Sequence, residues 1–134
     1  MEANNRAWAL AAEPRTPDQD KEMLSAAEAA LFHWSKVGTE LNIFRAKSLV
    51  AEAHALVGHG DTALVYAKAV SAYFEEVDAP DWEAAYIDTI LAHAAKVAGD
   101  DRLYDETYPI AQALVEAIAD PEDKAIVMKT FEQI

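Results

Sequence analysis

The four histidines, His33, His54, His59 and His93, are the side chains of this chain best suited to hold a metal or move a proton near neutral pH. Two of them lie in the same tripeptide, Ala53-His54-Ala55 and Ala92-His93-Ala94, thirty-nine positions apart. If these occupy equivalent places on neighbouring helices, an ordinary interaxial distance of about 10 Å brings both rings to one seam. Tyr86 lies on the same apolar stripe as His93 and adds a hydroxyl. His54, His93 and Tyr86 are therefore the candidate ligand-binding residues, the polar groups of an otherwise apolar interhelical pocket for a small molecule or metal. Packing is the competing role, because each sits on or beside an apolar stripe. His59, in a Gly-flanked turn, is expected at the surface, five residues from His54 and so on a different side of a helix. His33 is expected to pack with Trp34 at a helix seam.

No metal ligand set can be named from spacing. No two histidines stand four apart with the neighbouring Glu that zinc hydrolases use. Asp100, Asp101, Asp105 and Glu106 follow a Gly but lack the alternating oxygens and closing Glu of a calcium loop; helix capping explains them. Glu75, Glu76 and Asp78 fall near a helix C-terminus, where negative charge is mildly unfavourable, and would suit a basic partner. Gly58-His59-Gly60 follows a helix and has no phosphate-cradling Lys. No Ser, His and Asp set carries a strand-to-helix elbow. The expectation is a non-catalytic protein with no cofactor, although an acid–base pair contributed by separate helices leaves no motif. Tyr66, Tyr73, Trp82 and Tyr86, at helical spacing, serve either the core or a lined groove.

The elements that must position these groups are helices. Only four Gly and five Pro punctuate the 134 residues, nearly all between periodic segments. A short helix over about Ala3–Ala12 closes at Pro14. Thr16, Pro17 and Gln19 form a capping box for a second helix that Gly38 ends. A third runs from about Leu41 to Val57. Asp61 or Thr62 caps a fourth, with Ala63, Tyr66, Ala67, Val70, Tyr73, Phe74 and Val77 on its stripe. Asp81 caps a fifth, with Trp82, Ala85, Tyr86, Thr89, Ile90, His93 and Val97. A sixth follows Gly99-Asp100-Asp101, with Pro109 either kinking it or marking its start. Asp120 and Pro121 open a seventh.

Just over half the residues are apolar, and Ala supplies much of that total, so close helix–helix approaches over small residues are expected. With 11 basic against 24 acidic residues the net charge is −13, which repels phosphate backbones and argues against nucleic-acid binding. The absence of Cys removes disulfide and thiolate chemistry. No apolar run reaches the roughly 18–20 residues of a membrane span. The polar start, with Glu2, Asn4, Asn5 and Arg6, does not read as a secretory signal, so the expected location is the cytoplasm.

An internal repeat is visible. Gly60-Asp61 returns as Gly99-Asp100 at the displacement of the Ala-His-Ala segments, and Pro80 returns as Pro121 two positions late. Val50, Ala51, His54, Gly58, Ala63, Ala67, Val70 and Pro80 resemble the pattern of the tetratricopeptide family over roughly Leu41 to Pro121. The second unit departs from it at Tyr104 or Asp105, and units near forty residues exceed the family's usual thirty-four. With His33 to Thr39, Asp81 to Tyr86 and Ala117 to Asp123, the whole chain resembles small bacterial tetratricopeptide-like proteins of unassigned function. The resemblance implies an all-α fold of about seven helices in antiparallel hairpins, stacked as a short right-handed solenoid. Its parts would be a helix pair (1–38), a first repeat (39–80), a second repeat (81–120) and a capping helix (121–134). It also implies a concave face that binds a protein or peptide, of basic character if charge decides, or a second copy of the chain as a homodimer.

Overall fold

The computed structural model describes residues 2–134. They form seven α-helices: α1 (Glu2–Ala11), α2 (Pro17–Val37), α3 (Glu40–Leu56), α4 (Gly60–Glu75), α5 (Asp81–Ala98), α6 (Asp101–Glu116) and α7 (Pro121–Phe131). No strand is present among the described residues. None of the helices is long and apolar enough to cross a membrane.

Local chemistry sets most of the boundaries. At α2 the Thr16 hydroxyl accepts from the Gln19 N–H at 3.2 Å, and the Gln19 side chain accepts from the Thr16 N–H at 3.0 Å, the reciprocal cap expected of this sequence. Thr39, Asp100 and Asp120 cap α3, α6 and α7 through their side chains. Two expected caps are displaced. Asp61 and Thr62 lie inside α4, whose N-cap is His59, and Asp81 is the first residue of α5, after Pro80. Asp81 instead accepts from the Ala119 N–H at 2.9 Å, across the loop into α7. Pro109 sits within α6 without interrupting it. It has no N–H to offer Asp105, but both residues are exposed, so water can serve that carbonyl.

Each helix packs on the next, and the odd-numbered helices also meet in sequence: α1 with α3, α3 with α5, and α5 with α7. Alanines dominate the buried positions, among them Ala51, Ala53, Ala63, Ala67, Ala85, Ala92 and Ala94, which lets the backbones approach closely. The larger buried side chains are Met23, Leu49, Val50, Val70, Ile90 and Val115, each contributing about 1.5–3 kcal/mol by leaving water. One apolar cluster joins α1, α2 and α3 around Met23 and Leu49, and a second joins α3 to α7 around Ala67, Tyr86 and Ile90. Trp8 and Tyr66 border both. The last helix returns to the first, with Gln133 donating to the Ala11 carbonyl at 2.7 Å and Lys129 paired with Glu13 at 3.0 Å.

Helix bounds and turn residues do recur, but at a displacement of forty-one and not thirty-nine. Helix α4 spans Gly60–Glu75 and α6 spans Asp101–Glu116, so both ends are offset by forty-one. The left-handed glycines that close α3 and α5 are Gly58 (φ 87°) and Gly99 (φ 79°), again forty-one apart, as are Pro80 and Pro121. The positional equivalent of Gly99 is therefore Gly58 and not Gly60. His93 corresponds to Glu52, and His54 to Ala95. The Ala-His-Ala match is a coincidence of composition in an alanine-rich chain.

Candidate functional site

A cleft of about 170 Å³ lies between α1, α2, α3 and α5. Helix α1 supplies Asn4 and Trp8, α2 supplies Trp34, α3 supplies Asn42, Arg45, Ala46 and Ser48, and α5 supplies Trp82, Glu83 and Tyr86. All three tryptophans of the chain therefore face one space. Helical spacing explains the sets: Asn4 and Trp8 are four apart, Asn42 and Arg45 three, and Trp82 and Tyr86 four, so each pair projects from one face of its helix. Trp8 stacks obliquely on Tyr86, with ring centroids 5.0 Å apart.

Arg45 crosses the cleft to Glu83 in a two-pronged pair, Nε to Oε2 and Nη2 to Oε1, both at 2.9 Å. The Glu83 side chain is buried whereas that of Arg45 is 44% exposed. The pair raises the guanidinium's pKa, mainly through the hydrogen bond to Glu83, and it fixes the charge in the wall as a neutral unit with N–H groups left over. Trp8 and Trp82 also border a shallower depression of about 310 Å³ with Asp123, Ile126 and Val127 of α7. The two concavities share Trp8 and Trp82 as lining residues.

Of the three sequence-derived candidates, Tyr86 lines this cleft with its ring. Its hydroxyl is buried without a hydrogen-bond partner, and burial, assisted by the nearby Glu52 carboxylate, holds its pKa well above the usual value. His93 is buried elsewhere on the α3–α5 seam, with Nδ1 3.0 and 3.1 Å from the two Glu52 carboxylate oxygens. Burial raises the Glu52 pKa, against the opposing effect of His93. His54 lies partly buried on the last turn of α3, its Nε2 3.2 Å from Glu28 and its Nδ1 3.0 Å from His59. No hydrogen bond or ring contact joins His54 to His93 or Tyr86 among the described residues, so the expected three-residue pocket does not assemble. The cause is the forty-one-residue register, which turns His54 toward α2 and sets Glu52 opposite His93.

His54 and His59 also correct an expectation. Five residues apart along a helix they would diverge, but α3 ends between them. Gly58 reverses the chain, its N–H donating to the Ala55 carbonyl at 3.1 Å while the His59 N–H donates to the His54 carbonyl at 2.8 Å, a Schellman turn that brings these two residues together. His33 is exposed, in edge-to-face contact with Trp34 at 5.2 Å. Of the acidic cluster, Asp100 caps Leu103 at 3.1 Å.

No family model matches this chain, and no curated protein or solved structure does either.

The residues that line the cleft with Tyr86 escape single-residue reasoning because they come from four helices. One hidden residue did leave a trace. Glu52 is a carboxylate inside the run Leu49-Val50-Ala51-Glu52-Ala53, and a charge embedded in an apolar face needs a buried partner.

Proposed function

We propose that this chain is a non-catalytic, tetratricopeptide-like scaffold that binds a protein segment of basic character along a groove lined by Trp34, Trp8, Trp82 and Ile126. The observation that carries the reading is the convergence of all three tryptophans with Asn4, Asn42 and the Arg45–Glu83 pair on one narrow cleft. About 170 Å³ falls short of the roughly 300–1,000 Å³ of small-molecule sites and suits one anchored side chain. Indole faces favour a Lys or Arg side chain by cation–π attraction, and the bidentate bond to Glu83 cancels the Arg45 charge that would otherwise repel it. The Asn4 and Asn42 amides can each give and accept a hydrogen bond and so read peptide backbone. A net charge of −13 steers a basic segment inward. The hairpin-solenoid reading draws on the odd-helix contacts and on the forty-one-residue recurrence of turn glycine and proline.

The tryptophans supply their own assay, since the chain's indole fluorescence comes from the groove alone. Titration with panels of basic, neutral and acidic peptides is expected to give a saturable change with basic ones only. Trp82→Ala and Glu83→Gln should each weaken it by tenfold or more, about the 1.4 kcal/mol of one anchoring contact. Equal response to acidic and basic peptides, or binding that survives both substitutions, overturns the proposal.

A further inference from the structure

The α3–α4 turn lies outside the groove and holds an arrangement that the peptide-binding reading does not use. His54 and His59 bring their Nδ1 atoms to within 3.0 Å of each other, and His54 Nε2 lies 3.2 Å from Glu28 Oε1 on α2. A carboxylate at that position keeps the proton on Nε2, so the Nδ1 lone pair of His54 is turned toward His59. Two imidazole nitrogens this close share either one proton between them or a cation held to one side of both.

From this we infer that His54 and His59 form a chelate for a divalent transition-metal ion, bound through both Nδ1 atoms with Glu28 orienting His54. Imidazole nitrogens bind such ions at about 2.0–2.1 Å, and two cis ligands at that radius stand roughly 2.9 Å apart, close to the spacing present here. Carboxylate, histidine and metal in series is the usual outer-sphere arrangement, in which the carboxylate fixes the tautomer and raises the ring's basicity. His59 is exposed, which opens an approach and leaves positions for water on the ion. The turn itself gives up something for this geometry. His59 occupies the N-cap of α4 yet makes no capping hydrogen bond, whereas Asp100, at the equivalent position and with nearly the same backbone angles, caps α6. Among the described residues no group of three His, Cys, Asp and Glu side chains is assembled for a metal. With two protein ligands the site is exchangeable, and the order of preference is Cu²⁺ over Ni²⁺ and Zn²⁺.

The test uses the full chain, stripped with a chelator and titrated with Cu²⁺, then with Zn²⁺, by calorimetry, with electron paramagnetic resonance of the Cu²⁺ form and ring ¹H–¹⁵N spectra of the Zn²⁺ form. One Cu²⁺ per chain with coordination from two imidazoles is expected, and Zn²⁺ should shift the ring signals of His54 and His59. His59→Gln should weaken Cu²⁺ binding at least tenfold, and Glu28→Gln by a smaller factor, while His33→Gln leaves it unchanged. Circular dichroism establishes that each variant is folded, and His59, on an exposed turn, is the substitution least able to disturb the core. Absence of saturable binding, or binding that survives His54→Gln and His59→Gln, as attachment to the terminal amine would, overturns the inference. So does equal loss in His33→Gln.

Discussion

Ala53-His54-Ala55 and Ala92-His93-Ala94 are the same three residues in opposite surroundings. His93 is 4% exposed and faces Glu52, itself 1% exposed; His54, on the last turn of α3, faces the exposed His59 and Glu28. One histidine is sealed into the seam between two helices and the other can reach solvent and solutes. The difference follows from register. At an offset of forty-one, Glu52 and His93 are equivalent positions that meet across the α3–α5 contact, whereas the equivalent of His54 is Ala95, a small buried residue. Sequence identity over three positions carries no information about role when a helix turns about 100° at each step.

The sharpest way to break the comparison is at the buried pair. Glu52→Ala leaves a cavity, strands His93 without its partner and should cost about 3–5 kcal/mol in urea-unfolding stability, whereas His54→Ala, whose partners Glu28 and His59 are exposed, should cost about 1 kcal/mol or less. The pair also carries a pH signature. Because burial raises the Glu52 pKa, the folded chain keeps that proton at pH values where the unfolded chain has lost it. Stability from this group is therefore complete below the ordinary carboxylate range and declines as pH rises through it toward the raised value. Glu52→Gln should flatten that decline in a series of melting temperatures, and a steeper decline in the variant would show that the Glu52 carboxyl is ionised in the folded chain.

A smaller effect separates the helix starts that follow the two turns. Gly60 opens α4 against the end of α5, where an added Cβ would lie 2.5 Å from backbone atoms of Ala98. Gly60→Ala should cost about 1–3 kcal/mol through overpacking of rigid backbone. The equivalent Asp101 is exposed, because α7, with 11 residues against 18 in α5, is the shorter neighbour; Asp101→Ala should be nearly silent by the same assay.

Smallest of all is the exchange of caps. Asp100→Ala should lose about 1 kcal/mol with the hydrogen bond to Leu103. His59→Asp should supply the cap that α4 lacks and gain a similar or smaller amount, while weakening the Cu²⁺ response by exchanging an imidazole for a carboxylate. A His59→Asp variant that is both less stable and no weaker in metal binding would show that the two turns are not comparable.

The legible parts of this molecule were those decided within a few residues. The Thr16–Gln19 box, the Asp120–Pro121 start and the amphipathic stripe of α4 each depend on a local hydrogen bond or a helical period, and each stands where those residues place it. Pairings between helices were not legible. Glu52–His93 spans forty-one positions, the cleft draws on four helices, and the return of Gln133 to Ala11 spans nearly the whole chain. The His54–His59 contact came closest to being readable, since Gly58 between them signals a chain reversal, but a helical count carried past that glycine separates the two rings.

Taken alone, the order of residues determined that this chain is helical, where its seven helices fall to within a few residues, and that alanine would let them approach closely, because capping, turn formation and amphipathicity are short-range. Which histidine is buried, which tryptophans share a wall and which carboxylate meets which base were decided only by the tertiary structure. Those outcomes depend on the rotation and register of one helix against another, quantities fixed by the sum of many small packing contacts and by none of them singly.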